Sequence, residues 1–555
     1  MNKNFKKPII LILSAILTAG LLFSFVDKND KLFAIAKNLD IFASLIRELD
    51  SYYVDEINAE ELVTIGINAM LEELDPYTEF IPEENSDDFR LMTTGEYAGV
   101  GALIGNRTGS NMILMPYKGF PAQSAGLRIG DEILKVDTVD VVNSLTSDIS
   151  KLLKGPANTN VFVQVKRGTD TISVNLTRKK IVISNVPFYG KLDDQTGYIK
   201  LSDFTTNAAS DVRNALVDLK SQGITRLVLD VRDNPGGILK EAVDIVNLFI
   251  PKGKEVVRTI GKLENVNSVY KTTKPPVDKD IPMVVLINER SASAAEIVAG
   301  ALQDYDRAVL VGRRTFGKGL VQTTVPLSYN SQVKITTAKY YIPSGRCIQA
   351  IDYSQDNRDE NGNSISIPDS LRKEFRTKNG RIVLDGAGIE PVEKTETKSY
   401  APITYSLVAR NLVFEYGNKF FLENEMIANP RDFVVTDEIY ADFVASLEGK
   451  DYDYTTYVEK TLEDLEKYAL KEKFFDDIKP TIDDLKKKVS HNKEQDLVTF
   501  KFEIKEALRE ELVSRYFFQQ GIIEASLVND DDVKTALGIL SSPDEINRVL
   551  TASAK

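Results

Sequence analysis

Residues 283–302 read MVVLI-NER-SASAAEIVAGAL, and this stretch decides the fold. An apolar strand-like run comes first, three polar residues follow as a loop, and small and apolar residues then recur at helical spacing. The same order occurs upstream, where RLVLDV at 226–231 passes through DNPGG at 233–237 into an amphipathic segment from Ile238 to Phe249. Repeated strand, loop and helix predict an α/β domain over residues 181–400, with its functional loops at the carboxyl ends of the strands.

Composition narrows the class of protein. The chain has 555 residues, of which 43% are hydrophobic and 27% charged, as is typical of a folded protein of several domains. Its net charge of -13 argues against binding to nucleic acid, because phosphate binding needs clustered Lys and Arg. A single cysteine, Cys347, excludes an intrachain disulfide, and together with a single histidine it excludes a four-ligand Cys/His zinc site. We therefore expect no metal and no cofactor.

The N-terminus has the features of an export signal. Residues 1–7 contain three lysines and no acid, and a charge-free, mostly apolar run follows over residues 8–26. This run is long enough to cross a bilayer core, which needs about 17 to 25 residues as a helix. Cleavage sites within it are poor, so we expect an uncleaved anchor rather than a cleaved signal peptide. The positive-inside rule then places the exported chain on the periplasmic side of the cytoplasmic membrane.

Three further regions differ in their residue patterns. Residues 27–95 have helical periodicity. Residues 96–180 contain short β-like runs, including one at 99–104, separated by glycine turns, and this predicts a compact β-rich module of PDZ size. Residues 401–555 are helical and acidic and contain no recognisable chemistry. We expect this tail to form a homodimer, to restrain the protein or to bind a partner.

The α/β domain contains no histidine. The only one is His491, in a polar part of the tail, so the domain has neither a Ser-His-Asp triad nor a Cys-His pair. A hydrolase here needs another base, and lysine can serve when burial favours its uncharged form. Ser293 stands directly after a buried strand and at a helix start, where free N–H groups favour an oxyanion. A serine in that position is more often only an N-cap, so this placement alone decides nothing.

Lys318 lies between two glycines in TFGKG, residues 315–319. A phosphate-binding loop is a competing interpretation, because Gly312 precedes Gly317 at the spacing of that motif. However, Gly319 stands where Ser or Thr would bind magnesium, and a strand rather than a helix follows. A nucleotide site is therefore disfavoured.

Taken together, these motifs resemble those of the carboxy-terminal processing peptidases, also called tail-specific proteases. The motifs occur in order at the family's spacings, namely residues 230–237, Ser293, Lys318 and Gln322. The resemblance runs from about residue 36 to about residue 400 and includes LDPYT at 74–78 and PSGR at 343–346. Ala295 departs from the pattern, since many members have a serine there.

The resemblance implies a serine endopeptidase with a crotonase-like or ClpP-like α/β core and an inserted PDZ domain. Ser293 would be the nucleophile, Lys318 the general base and Gln322 the group that orients the lysine amine. The backbone N–H groups of Gly237 and Ala294 would bind the oxyanion. Substrates would be proteins or peptides with a free, apolar C-terminus.

Within the PDZ-like module, YAGVG at 97–101 is the counterpart of the carboxylate-binding loop. The amides of Gly99, Val100 and Gly101 would receive the terminal carboxylate while the peptide adds to the sheet edge, and Val100 and Leu103 would line the side-chain pocket. The module either delivers substrate or keeps the Ser293 site closed until a tail binds, and we expect the second. Two other functions remain open: a catalytically silent PDZ scaffold, and a hydratase-type acyl-CoA enzyme, which export and the PDZ insertion disfavour.

Overall fold

The structure is a computed structural model that describes residues 32–354, 357–359, 363–397, 399–489 and 493–551. These residues form two compact units. The first takes the described residues up to Ile81 together with Thr324–Ile335, and the second takes the rest. The expected anchor at residues 8–26 and His491 lie outside the described residues. Within the described ranges, no helix is both long enough and apolar enough to cross a membrane.

The first unit begins with helices, as the sequence predicts for the N-terminal region. They are α1 (residues 32–52) and α2 (Ala59–Glu72), and the short strand β1 (Glu79–Ile81) follows. The side chain of Asn58 caps α2 by accepting from the backbone N–H of Glu61 at 3.2 Å. The buried carboxylate of Asp75 accepts from the backbone N–H groups of Tyr77 and Thr78, which fixes the turn before β1.

The β-rich module follows α3 (Ser86–Thr94) and is an antiparallel sheet in the order β3-β4-β5-β7-β8, with β6 paired to β5. The short ribbon of β2 and β9 joins the two chain ends of the module. The run expected at 99–104 is interrupted at Val100 and Gly101, because Gly101 has a φ of 75°. The elements are β2 (Glu96–Gly99), β3 (Ala102–Arg107), β4 (Ser110–Pro116), α4 (Pro121–Ser124), β5 (Glu132–Val136), β6 (Val139–Asp140), α5 (Thr146–Leu153), β7 (Asn160–Arg167), β8 (Asp170–Thr177) and β9 (Lys179–Val182).

The core of the second unit is a six-stranded sheet in the order β10-β11-β12-β15-β16-β23, parallel except for β10. Its central strands are continuous apolar runs because helices cover both faces. Helices α6, α7 and α8 cover one of these faces. The elements from β10 to β16 are β10 (Phe188–Lys191), β11 (Thr196–Lys200), α6 (Ala208–Ser221), β12 (Arg226–Asp230), α7 (Leu239–Val246), β13 (Glu255–Gly261), β14 (Ser268–Lys271), β15 (Met283–Ile287), α8 (Ala294–Asp304) and β16 (Val309–Gly312).

Smaller β elements follow the core strands. The last residues of β18 pair with β13, and its first residues pair with β1 in the first unit. Two short antiparallel pairs, β19 with β20 and β21 with β22, precede the final core strand. The bounds are β17 (Leu320–Pro326), β18 (Gln332–Tyr341), β19 (Ile351–Asp352), β20 (Ile365–Ser366), β21 (Glu374–Arg376), β22 (Ile382–Leu384) and β23 (Glu393–Lys394).

The C-terminal region is helical, as predicted, and it has two parts. Helices α9, α10, α11 and α14 with the first part of α15 enclose an apolar core of their own. Helices α16 and α17 instead pack on the second face of the core sheet, where Val533 and Leu540 join Val228 and Val284. The bounds are α9 (Pro402–Ala409), α10 (Leu412–Glu423), α11 (Asp437–Ala445), α12 (Tyr457–Glu472), α13 (Phe475–Val489), α14 (Lys493–Thr499), α15 (Lys501–Ser526), α16 (Asp531–Ser541) and α17 (Pro543–Thr551).

The predicted α/β core, the inserted β-rich module and the helical regions at both ends are therefore confirmed. The sequence did not indicate that helices of the tail complete the core by covering one face of its sheet.

Candidate active site

Ser293 stands at the carboxyl edge of the core sheet, between β15 and α8. Its φ of 55° and ψ of -112° are unusual for a residue with a side chain, a conformation that costs about 1–3 kcal/mol and that clusters at functional sites. Along the run from Ser291 to Gly300, Ser293 is the one residue that is not buried. The backbone therefore presents this side chain to solvent at the start of the helix.

The glycine loop after β12 lies directly against Ser293. A Cβ on Gly236 would come within 2.8 Å of the Ser293 Cβ and 2.7 Å of the Ala292 carbonyl oxygen, so only glycine fits there. The fully buried Asn234 holds this loop, because its Nδ2 donates to the Leu201 carbonyl at 2.8 Å and its Oδ1 accepts from the Gly236 N–H at 2.8 Å.

Two backbone N–H groups belong to the two segments that meet at Ser293, the start of α8 and the glycine loop after β12. The first is that of Ala294, at the first helical position of α8, which has no acceptor within its own helix. The second is that of Gly237, whose neighbours are fixed because Phe204 N–H donates to the Gly236 carbonyl at 3.1 Å and Ile238 N–H to the Phe204 carbonyl at 2.7 Å. Neither the Ala294 nor the Gly237 N–H donates to an acceptor in the part of the chain that the structure describes.

Glu296, on the first turn of α8, joins Ser293 to the loop that contains Lys318. One carboxylate oxygen, Oε2, accepts from the backbone N–H of Ser293 at 2.8 Å and from that of Lys318 at 2.9 Å. The other, Oε1, accepts from the Thr315 hydroxyl at 2.5 Å and the Gly317 N–H at 2.8 Å. The structure thus brings the backbones of Ser293 and Lys318 to one buried oxygen.

Burial raises the pKa of Glu296 to about 7, while its four hydrogen bonds act in the opposite direction. All four partners donate to the carboxylate oxygens, so each of these hydrogen bonds favours the ionised form and opposes the effect of burial. Sequence reasoning missed this role of Glu296. The available signal was an acid inside an otherwise apolar, buried helix, which is rare unless the acid has partners.

Lys318 follows β16 in a loop that two glycines make tight. Gly317 has a φ of 88°, and a Cβ there would lie 2.5 Å from that of Ala350. The N–H of Gly319 donates to Gln349 Oε1 at 2.7 Å. Lys318 itself is half-buried.

Gln322 lies on β17, four residues after Lys318, and is also half-buried. Its Nε2 donates to the hydroxyl of Thr336 on β18 at 3.2 Å.

Ser291, two residues before Ser293, is fully buried. Its hydroxyl donates to the Val231 carbonyl at 2.8 Å and accepts from the Asn288 N–H at 2.9 Å. The hydroxyl of Ser291 therefore has a structural role, which leaves Ser293 as the accessible serine. The residues Ser293, Lys318, Gln322, Gly237 and Ala294 are called the Ser293 cleft below.

A buried ion cluster lies at the end of β12, just before the glycine loop. Asp230, at the end of β12, is 1% exposed and accepts from Arg232 Nη2 at 2.6 Å, from Lys200 Nζ at 3.3 Å and from the Tyr198 hydroxyl at 2.6 Å. Burial alone would raise the pKa of Asp230, but Arg232 and Lys200 hold it well below its usual range. Within the described ranges, no group of three or more His, Cys, Asp and Glu side chains could bind a metal ion.

The β-rich module contains a groove between β3 and α5, called the module groove below. It has a volume of about 250 Å³, and both Val100 and Leu103 line it, as do Thr146 and Ser150 of α5. Val100 is 3% exposed and belongs to the module core, whereas Leu103 is 50% exposed. A Cβ on Gly101 would lie 2.5 Å from that of Phe120, so the loop needs glycine at this point.

Sequence reasoning also missed Tyr97, which lines the module groove. Its ring covers Gly99, where a Cβ would lie 2.9 Å from Tyr97 Cε2, and its hydroxyl lies near the backbone N–H groups of Ala102 and Gly101, which favour the ionised phenol. Burial, with the neighbouring Tyr117, raises the pKa of Tyr97 well above its usual value. The Tyr97 hydroxyl therefore lies beside the loop that was expected to receive a carboxylate.

Comparisons with known proteins agree with this architecture. A model of peptidase family S41 matches residues 195–357, a PDZ domain model matches residues 113–167, and a model named for the C-terminal helical domain of a probable PDZ-protease matches residues 403–540. A probable CtpA-like serine protease of Staphylococcus aureus strain MRSA252 is 34% identical over 346 residues, which are 61% of this chain and 69% of that protein. The chain belongs to peptidase family S41. It is a serine-type peptidase with a PDZ domain, as predicted.

Two other relatives are named for C-terminal processing. A carboxy-terminal-processing protease of Bartonella bacilliformis is 33% identical over 360 residues, which are 63% of this chain and 82% of that protein. A solved photosystem II D1 C-terminal processing protease is 32% identical, covering 59% of this chain and 91% of that chain, with a TM-score of 0.32. By its similarity to the Bartonella bacilliformis protein, this chain is similar to the carboxy-terminal-processing proteases.

Proposed function

We propose that Ser293 and Lys318 form the catalytic dyad of an endopeptidase that cleaves exported proteins whose C-terminal tails bind in the module groove. The observation that carries this proposal is the shared Glu296 oxygen, because it holds the backbones of both residues at one point. Both side chains are half-buried in a largely buried surrounding, so a bound peptide can reach them.

In the proposed reaction, the neutral Lys318 amine takes the proton of the Ser293 hydroxyl as Oγ attacks the peptide carbonyl carbon. The lysine ammonium then gives that proton to the leaving amine, and water hydrolyses the resulting ester by the same route. Gln322 orients the amine: its Nε2 donates to Thr336, so its Oε1 is the end that can accept from lysine.

The tetrahedral intermediate carries a negative charge on the former carbonyl oxygen. We assign its two donors to the N–H groups of Gly237 and Ala294, which come from neighbouring strand ends and have no acceptor among the described residues. Such preorganised donors are worth about 10²- to 10³-fold in rate.

The substrate class follows from the module groove. Its lining is apolar around Val100, Leu103 and Ile104, and the loop at its end offers backbone N–H groups to a carboxylate. We therefore propose that a free, apolar C-terminus is the recognised feature.

The same proposal includes the location and assembly of the protein. We propose that residues 8–26 anchor it on the periplasmic side of the cytoplasmic membrane and that it forms a homodimer, and both points are supported by the sequence alone.

The test is turnover of a peptide with a free apolar C-terminus by the wild type and by Ser293→Ala, Lys318→Ala and the double variant. Each single change should lower kcat by at least about 10⁴-fold, and the double variant should be no worse, because members of one catalytic unit are not additive. Wild-type activity should be insensitive to EDTA and to replacement of His491. Retained activity in Ser293→Ala with Ser291 intact would move the nucleophile to Ser291.

A further inference from the structure

We infer that the C-terminal helices hold the β-rich module and the oxyanion side of the Ser293 cleft in one fixed relation, with Asp532 acting as a positioning residue through Arg232. This inference rests on the proposed function. It assigns a role to the tail, which sequence reasoning left open.

The first set of contacts lies between the module and α10. Arg107 of the module donates to Asn411 Oδ1 at 2.9 Å, and its guanidinium lies 5.9 Å from the centre of the Phe414 ring. Arg128 lies 5.2 Å from the centre of the Phe421 ring. Helix α10 therefore contacts two separate parts of the module.

At a third point the side chain of Asn418 on α10 packs directly against Gly130 of the module. A Cβ on Gly130 would lie 2.4 Å from Asn418 Oδ1. The same Asn418 oxygen accepts from Arg515 Nε at 3.2 Å, and the Arg515 guanidinium lies 4.7 Å from the Phe414 ring centre. The α10 surface that meets the module is thus tied to α15.

Helix α15 bends between its two ends at Phe518, which has a φ of 56° and a ψ of -153°. Phe517 and Phe518 line a cavity of about 170 Å³ together with Tyr117 and Phe120 of the module. The bend lies where the helix passes the module, and the chain then continues from Ser526 towards α16.

The second set of contacts lies between the start of α16 and the core strand ends. Arg232, the residue before the oxyanion loop at 233–237, donates through Nη1 to Asp532 at 2.8 Å, and its Nη2 lies 2.7 Å from an Asp530 oxygen. Asp532 is buried and also lies 3.6 Å from Nη1 of Arg313, which follows β16.

This placement explains why Asp532 can affect chemistry without touching substrate. Strands β12 and β16 flank β15, the strand that leads to Ser293. Asp532 holds one arginine from the end of each flanking strand, and the backbone after Arg232 carries the Gly237 N–H. A displaced strand end would misplace that oxyanion donor, which lowers kcat more than it changes substrate binding.

Two variants test the two ends of this connection. Asp532→Asn should lower kcat about 10-fold on peptides with and without a free tail, with KM unchanged, because only the oxyanion side is disturbed. The control is Asp531→Asn, which changes the exposed neighbour that pairs with Lys534.

The joint change Arg107→Ala and Arg128→Ala should lower kcat on the tailed peptide about 10-fold while the Kd of that peptide stays the same. Its control is Lys135→Ala, elsewhere on the module.

Combining the changes tests the connection itself. The triple variant carries Asp532→Asn, Arg107→Ala and Arg128→Ala. If the two sites act independently, their effects multiply and kcat falls about 100-fold, whereas a shared connection limits the fall in kcat to about 10- to 20-fold. Multiplicative effects, a wild-type kcat in Asp532→Asn, or a change confined to KM would overturn the inference. Labelling of the wild type by a fluorophosphonate is measured first, with Ser293→Ala as the unlabelled control. If the wild type is not labelled, the proposed function fails. If it is labelled, the kinetic results test only the role of the tail. Thermal melting of Asp532→Asn against Asp531→Asn identifies any general loss of folding.

Discussion

In the Ser293 cleft the functional groups are held by buried partners, whereas in the module groove the recognising groups are backbone amides beside a half-exposed apolar surface. Glu296 alone accepts four hydrogen bonds, one from Ser293 and three from the loop at residues 315–318. In the groove, Leu103 is 50% exposed, and the loop amides lie beside one tyrosine hydroxyl.

This difference determines how each site responds to change. In a buried network each group is fixed by several hydrogen bonds, so removal of one member leaves several buried polar groups without a proper partner. The resulting loss of activity is large. A groove lined by apolar side chains and loop amides loses or gains single contacts, each worth about 1 kcal/mol. Changes in the cleft should therefore abolish turnover, and changes in the groove should only adjust affinity.

The largest effect is expected for Glu296→Gln. The amide nitrogen would face N–H and O–H donors, so the Ser293 and Lys318 backbones would separate and kcat would fall about 100-fold or more. Steady-state kinetics measure this, with KM for a tailed peptide unchanged. The control is Glu264→Gln, which replaces a solvent-exposed glutamate by the same isostere. A Glu296→Gln enzyme with wild-type kcat would show that the cleft is no more constrained than the groove.

The pH dependence of stability should be the next largest effect. Because its folded pKa is raised to about 7, the ionised Glu296 is penalised in the folded state, so its contribution to stability is present in acid and is lost as pH rises towards and through 7. Between pH 5 and 8 this lowers the free energy of unfolding by about 2 to 3 kcal/mol. Asp230 has the opposite sign, since its lowered pKa stabilises the fold until strongly acidic pH.

Calorimetric melting from pH 5 to 8 tests this prediction. The melting temperature of Glu296→Gln should depend less on pH than that of the wild type, while Glu264→Gln should follow the wild type. Identical slopes in all three proteins would contradict the assignment of the raised pKa to Glu296.

A smaller effect is expected at the module groove when the peptide tail is amidated. Removing the terminal charge removes charge-assisted hydrogen bonds to the loop amides, so KM should rise about 10-fold with kcat little changed. Kinetics on one peptide with a free or an amidated C-terminus measure this. Equal rates for both peptides would make the module a structural insert.

Sequence patterning accounts for the structure around Ser293 better than for that of the module groove, for physical reasons. Strand and loop order, and the position of Ser293 before a helix, follow from local patterning. The role of Glu296 does not, because a glutamate three residues after a helix-start serine also fits a local capping box, and its contacts with residues 315–318 exist only after folding. The sequence could not predict the packing of α16 and α17 for a similar reason. An amphipathic pattern predicts that one face of a helix is buried, but it does not indicate which other element covers that face.

The smallest predicted effect is also the most direct test of the groove. In Tyr97→Phe the ring remains over Gly99 but the hydroxyl that lies beside the Gly101 and Ala102 amides is lost. A terminal carboxylate then no longer has to displace that hydroxyl, and one net hydrogen bond corresponds to about 5-fold in affinity. Fluorescence anisotropy should therefore give a Kd about 5-fold lower for the free tail and unchanged for the amidated tail. Tyr117→Phe, which changes a second tyrosine of the groove, is the matched control. Weaker binding by Tyr97→Phe would instead mean that the hydroxyl donates to the carboxylate, so that the groove, like the cleft, depends on a fixed side-chain partner.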